Sequence, residues 1–275
     1  MSPQSSQVDK TAARERLRAE REREAKRRKA LRQAVVTVSA VAVLAAVGGA
    51  SYLVMEAAEP SGWEAAKEAV VVKPRNTEGE NGTTVVIGKP TATKTLEVYE
   101  DPRCPICASF EQAAGETLKK DVDAGKYKVR FVGGTFIDTT ARGEGSKNAL
   151  SALGAALDVS PEAFLDYKSA LYSANFHPEE NDDKFARDDY LIEVAGSVPA
   201  LRNNAAFAKA VRQGTFDAWA LKMSAAFDAS GVTGTPTLMM DGEKIVAEGT
   251  KNAPMTAEQF TTAITKALRT QSTAP

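Results

Sequence analysis

The sequence is poor in the side chains that most often hold metals. It has two cysteines and one histidine, His177, in 275 residues. Three such residues fall short of a four-ligand Cys/His zinc site, and two cysteines exclude a scaffold of several disulfides. Aromatic residues are scarce at 7%, and none lies in the first 33 residues. That segment therefore has nothing to stack on a nucleic-acid base. Net charge is nearly absent too, at −1, but the balance hides an asymmetry. Residues 1–33 carry eleven Lys/Arg against five Asp/Glu, which leaves the remainder acidic by about seven charges. At 43% apolar and 26% charged the chain is globular in composition. Its length suits one large domain with extras, or two small ones.

Charge is missing altogether from residues 34–54, AVVTVSAVAVLAAVGGASYLV. At about 1.5 Å per residue this run spans about 31 Å as a helix, the hydrocarbon thickness of a bilayer. Arg27, Arg28, Lys29 and Arg32 precede it, and Glu56 and Glu59 follow. That bias keeps the N-terminus cytoplasmic and exports the rest. A cleaved signal peptide is the rival reading, with Gly48 and Ala50 as small residues at a cleavage site. The long charged leader and the length of the run favour an uncleaved, single-pass signal anchor in the cell membrane. Either way the remainder faces an oxidising, extracytoplasmic compartment. The expected organisation is a basic cytoplasmic segment (1–33), an anchor (34–54), a linker rich in Pro, Gly and charge with one short helix around Trp63–Val70 (55–82) and a folded domain (83–272). Five acids interspersed in the basic segment argue for a solvated helix or arm and against nucleic-acid binding.

Within the domain, 83–87, 95–99 and 127–132 read as strands. Between the last two, Phe110, Ala114 and Leu118 recur at helix period, which gives a βαβ unit with a right-handed crossover. Helices follow: an apolar stripe over 149–157, one opened by Ser160 and Pro161, two more at 188–197 and 204–212, and one marked by Phe216, Trp219, Met223 and Phe227. Two strands, 237–240 and 244–247, flank a hairpin at Asp241 and Gly242. A capping box at Thr256 and Gln259 opens the last helix.

Cys104 and Cys107 sit three apart where the second strand hands over to a helix. Side chains at i and i+3 share a helix face, close enough for a disulfide with little backbone movement. Pro105 occupies the first helical position, where its missing N–H costs nothing. The Cys104 sulfur meets unpaired backbone N–H groups and the positive end of the helix dipole, and both favour thiolate over thiol. Arg103 adds positive charge beside it, and Pro105 and Ile106 tune the pair from between the cysteines. Cys107, one turn in, is expected to be buried and protonated. An exposed, low-pKa sulfur paired with a buried one suits disulfide exchange. The bland alternatives are a fixed disulfide or half a metal knuckle, and the strand–turn–helix context argues against both. His177, in a loop, reads as structural rather than catalytic.

The segment EVYEDPRCPICASFE resembles the active-site signature of thioredoxin-fold disulfide oxidoreductases of the DsbA type, with Asp101 three residues before the first cysteine. The run Val232, Thr233, Gly234, Thr235, Pro236, Thr237 resembles that family's V-x-G-T-P-T loop. The resemblance covers about residues 83–272. It implies an α/β, thioredoxin-like fold with an inserted helical subdomain at about 140–230, here preceded by one transmembrane helix. It implies that Cys104 and Cys107 form the redox-active disulfide, with no cofactor and no metal, and that Pro236 is cis beside it. Thr235 would then offer its backbone to an extended substrate segment. Two departures stand out. Thioredoxin-like proteins often carry a buried acid six residues before the first cysteine, where this chain has Val98, with Glu97 and Glu100 nearby. The Pro–Ile dipeptide also lacks the histidine of strongly oxidising members.

The resulting expectation is a protein thiol–disulfide oxidoreductase that introduces disulfides into exported proteins and is re-oxidised by a membrane quinone-linked partner. A reductase or isomerase on the same scaffold, and a non-catalytic tethered binding or chaperone module, are the alternatives.

Overall fold

Strand β2 (Thr95–Glu100) organises the domain, because it is hydrogen-bonded on both sides. It runs parallel to β3 (Lys128–Gly133), with Val98 opposite Phe131, and antiparallel to β4 (Thr237–Met240), with Val98 opposite Leu238. With β1 (Val85–Ile87) and β5 (Glu243–Lys244) the sheet order is β1, β3, β2, β4, β5. These observations come from a computed structural model that describes residues 62–269. The basic segment 1–33, the apolar run 34–54, the linker residues 55–61 and residues 270–272 lie outside the described residues. Among the described residues no helix is long and apolar enough to cross a membrane.

Leu96, Val98 and Glu100 point to one face of β2 and are all buried, as period-two alternation requires. The chain leaves β2 into α2 (Pro105–Phe110), a π-helical turn (Glu111–Gly115) and α3 (Glu116–Ala124), then returns as β3. This is the βαβ unit read from the sequence. Phe110, Ala114 and Leu118 are buried as their spacing predicts. Gly125 ends α3 at a left-handed φ of 79°, where glycine carries no Cβ penalty.

Between β3 and β4 lies the helical insertion: α4 (Ile137–Thr140), α5 (Gly145–Val159), α6 (Pro161–Leu171), α7 (Asp188–Ala195), α8 (Ala205–Arg212) and α9 (Asp217–Ala229). Ser160 caps α6 by accepting from the Ala163 N–H at 3.0 Å, and Asn204 caps α8 in the same way. The last helix, α10 (Ala257–Arg269), opens with Thr256 accepting from Gln259 N–H at 3.1 Å.

Three elements depart from the sequence expectation. The final strand, read as 244–247, is only Glu243–Lys244, because Ala247 N–H turns to Asn252 O and Thr250 closes a local loop. The π-helical turn was not foreseen. Residues 62–82, assigned to the linker from composition, pack on the domain. The short helix expected around 63–70 forms as α1 (Gly62–Glu68), which buries Ala66 and packs against α9. Trp219 donates its indole N–H to Gly82 O at 2.7 Å, and Asn76 donates to Leu157 O at 2.9 Å.

Candidate active site

The turn after β2 is fixed by Asp101. Its carboxylate accepts from Arg103 N–H at 2.9 Å, Ile137 N–H at 3.1 Å and the Ser146 hydroxyl at 2.6 Å. Burial pushes its pKa up to about 6, against the pull of those three donors. The Arg103 side chain turns from the sulfurs into the insertion and is 1% exposed. Nη1 pairs with Asp138 and Asp183, both at 3.0 Å, and Nη2 donates to Glu180 O at 2.6 Å. The sequence placed Arg103 as a positive charge beside Cys104. The structure makes it a clamp between the cysteine turn and the insertion, because four acceptors from the insertion, Arg142 O among them, surround it.

Cys104 is the N-cap residue of α2. Its sulfur accepts from Cys107 N–H at 3.3 Å, and Pro105 follows in the first turn. Both cysteines are free thiols; Cys107 is buried as expected, at 0% exposure, but Cys104, expected to be exposed, is buried as well, at 6%, because the Thr235–Pro236 loop lies over it, while Ile106 between them is 57% exposed. The Cys104 pKa is lowered to about 6 from an ordinary 9.0. The largest cause is a hydrogen bond from the Cys107 thiol. Burial opposes it, and the Thr235 hydroxyl and the N–H groups of Cys107 and Ile106 add to the lowering. The helix-terminal donors expected from sequence are thus present, but the partner thiol contributes more. Cys107 is pushed the other way, chiefly by burial and then by its position as donor to Cys104. One sulfur is prepared as a thiolate and the other as a thiol.

The loop before β4 closes over the pair. The Thr235–Pro236 bond is cis, and Cys104 Sγ lies 3.8 Å from Thr235 O. The Thr235 hydroxyl is buried there without a hydrogen-bond partner. Beside this loop opens a groove of about 460 Å³ whose lining includes Ile106, Pro236, Ile245, Val246 and Met255. The structure therefore brings together Cys104, Pro105, Ile106, Cys107, Thr235 and Pro236.

Beneath the pair lies a cluster of which the sequence points only to Glu100. Glu100 is buried at the end of β2, and Lys168 from α6 reaches it at 3.2 Å and Glu111 at 2.5 Å. Ser169 also donates to Glu111, at 2.6 Å. The Lys168 ammonium sits 5.0 Å over the Tyr172 ring and 5.1 Å over Phe131. Tyr172 in turn packs with Cys104, Cys107, Ala108 and Ile137 and donates to Asp101 O at 3.0 Å. Burial raises the Glu100 pKa to about 7, partly offset by Lys168. Glu97, the other acid near Val98, lies on the opposite strand face. It accepts from the Tyr99 hydroxyl at 2.5 Å and faces Arg130. The only available signal for the cluster was an acid sharing the face of Val98; nothing in the sequence pointed to Lys168. His177 is structural, as read. Its Nε2 is 3.1 Å from Pro102 O, its ring stacks on Tyr172, and burial lowers its pKa.

Comparisons with known proteins agree with this architecture. The chain is 27% identical over 168 residues to the serine/threonine-protein kinase PknE of Mycobacterium tuberculosis, a match that covers 59% of this chain and 29% of that protein. It thus spans under a third of the curated relatives it matches. Among solved structures, the reduced disulfide bond oxidoreductase DsbG of Mycobacterium tuberculosis aligns with a TM-score of 0.52 at 24% identity, covering 69% of this chain and 96% of that one. The thiol-disulfide oxidoreductase MdbA of Actinomyces oris aligns with a TM-score of 0.57 at 20% identity, covering 73% and 98%. BdbD of Bacillus subtilis aligns with a TM-score of 0.53 at 22% identity, covering 74% and 99%. At these identities the likeness is one of fold: a thioredoxin-like α/β core with a helical insertion. A family model described as thioredoxin matches residues 80–266, and the chain belongs to the thioredoxin family.

Proposed function

We propose that this chain is an extracytoplasmic thiol–disulfide oxidoreductase that acts as a disulfide oxidase on exported proteins. The carrying observation is the opposite treatment of two sulfurs one helical turn apart: Cys104 is held toward thiolate and Cys107 toward thiol. In the oxidised enzyme a substrate thiolate attacks Cys104 Sγ. The Cys104–Cys107 bond breaks, Cys107 leaves, and a mixed disulfide forms at Cys104. The substrate's second thiolate then attacks its own sulfur in that mixed disulfide. Cys104 leaves as thiolate, and two electrons have passed to the enzyme. A stabilised Cys104 thiolate is a good leaving group and favours the reduced enzyme, which makes the disulfide oxidising.

The groove beside Pro236 supports binding of an extended peptide, with Thr235 offering backbone and Ile106 and Met255 apolar contact. Arg103, Pro105 and Ile106 shape the pair. In this reading residues 34–54 anchor the domain, residues 1–33 stay cytoplasmic, and a membrane quinone-linked partner re-oxidises the cysteines.

Equilibration with glutathione redox buffers tests the direction of electron flow. The expected potential lies nearer that of strong protein oxidants, about −120 mV, than the value of about −270 mV typical of thioredoxin. Oxidation of a reduced, unfolded protein substrate should disappear in Cys104→Ser. A potential near that of thioredoxin would make the chain a reductase. Substrate binding that survives loss of both cysteines, without any exchange in the wild type, would leave only a tethered binding module.

A further inference from the structure

We infer that the groove beside Pro236 selects substrate segments in which acidic side chains flank the reacting cysteine, and that Lys244 and Lys251 make the selection. This rests on the oxidoreductase reading above and names a substrate class for it. At the cysteine pair the groove is lined by Ile106, Thr235 and Pro236, and farther along by Lys244, Ile245 and Lys251. Its lining holds these two lysines and no carboxylate. Both lysines are exposed, and neither forms an ion pair among the described residues.

The carboxylates nearby in the chain do not cancel that charge. Asp241 is taken up by Lys94 at 2.6 Å. Glu243 lies on the face of β5 opposite Lys244, as period-two alternation requires, and Glu248 is exposed in the following loop, outside the groove lining. The residues after 33 are acidic by about seven charges, so the groove is a local reversal of sign. A groove of one sign concentrates ligands of the other and repels like charge.

The early end of β5 leaves this groove open. Ile245 N–H still reaches Leu238 O at 2.9 Å, but Ala247 N–H turns to Asn252 O. On the β5 side, residues 235–237 therefore have no neighbouring strand, and an extended segment fits along that edge. A segment lying there brings its cysteine to Cys104, whose Sγ is 3.8 Å from Thr235 O. Lys244 stands opposite Met239, three residues beyond Pro236 and so about 10 Å along the strand. An acid roughly two to four residues from the substrate cysteine falls within its reach. Ile106, Ile245 and Met255 offer apolar contact to any segment, and the lysines discriminate between segments by charge.

The test is single-turnover exchange between the oxidised full chain and extended peptides that carry one cysteine and identical apolar residues. The positions two to four residues on either side of the cysteine are filled with Glu, Gln or Lys. Glu peptides should react fastest and Lys peptides slowest, with the spread narrowing at about 0.5 M salt, where screening is strong. Lys244→Gln and Lys251→Gln should each cut the Glu-over-Gln ratio by up to about fivefold, the upper end of what an exposed ion pair contributes. The double Gln variant should abolish the preference, and the double Lys→Glu variant should reverse it. Lys209→Gln, on α8 outside the groove, should retain it. Both groove lysines are exposed, so their replacement leaves the core intact. A wild type without preference for Glu peptides, or a double Gln variant that keeps the preference, overturns the inference. If the wild type exchanges with none of the peptides, the proposed function fails instead. Binding of the same peptides with serine in place of cysteine, followed by fluorescence anisotropy, still decides the charge preference.

Discussion

At the scale of single residues, chemistry turns on which sulfur is the thiolate. Cys104 carries a pKa of about 6, and Cys107 is raised by burial and by donating to its neighbour. Because the Cys104 value is depressed, its thiolate is populated above about pH 6 and lost as pH falls through that point. Iodoacetamide labelling of the reduced protein should therefore show a fast phase at Cys104 with a midpoint near 6. Cys107 should label only at alkaline pH. Peptide mapping that finds Cys107 modified first would reverse the roles. This division was legible in the sequence from Pro105 and the strand–turn–helix context. The Arg103 clamp was not, because its partners Asp138 and Asp183 lie 35 or more residues along the chain. Sequence proximity to Cys104 suggested a charge acting on sulfur, and long-range packing assigned it elsewhere.

At the scale of elements, periodicity gave the βαβ unit and the helical insertion, since alternation in β2 and the i, i+4 rows of the helices follow directly from burial. The π-helical turn escaped because Phe110, Ala114 and Leu118 keep ordinary spacing across it. Its consequence is visible only in space: Glu111 is buried, and its carboxylate fills the room left by Gly115. A Cβ on Gly115 would lie 2.6 Å from the Glu111 carboxyl carbon. That carboxylate is tied to Lys168 and Ser169, so it has no free direction in which to yield. Gly115→Ala should therefore destabilise the protein by about 1–3 kcal/mol, the usual range for overpacking, seen as a lower urea midpoint. Glycine's lower helix propensity works the other way by about 1 kcal/mol. An unchanged or higher midpoint would show that Glu111 repacks freely and that the turn is not built around it.

At the scale of the whole molecule, the asymmetry of charge and hydropathy decides where this chemistry takes place. A redox pair with a stabilised thiolate is useful where disulfides persist, and an exported domain meets that condition. In the proposed reading the means is residues 34–54, an uncharged run of 21 residues with Arg27, Arg28, Lys29 and Arg32 before it and Glu56 and Glu59 after it. Lys and Arg near the ends of an apolar helix are retained on the cytoplasmic side, and acids contribute little to orientation. The domain is therefore expected outside the membrane with the N-terminus inside. Alkaline phosphatase, active only once exported, should be active when fused after residue 275. A fluorescent protein that matures only in the cytoplasm should be dark at the same position. Moving the four basic residues to the far side of the run, in place of Glu56 and Glu59 and their neighbours, should reverse both readouts, because orientation follows the Lys/Arg bias rather than the apolar run itself. Full cytoplasmic fluorescence with no phosphatase activity from the unaltered chain would place the domain inside. The proposed oxidase role would then lose its compartment, while the cysteine geometry would stand unchanged.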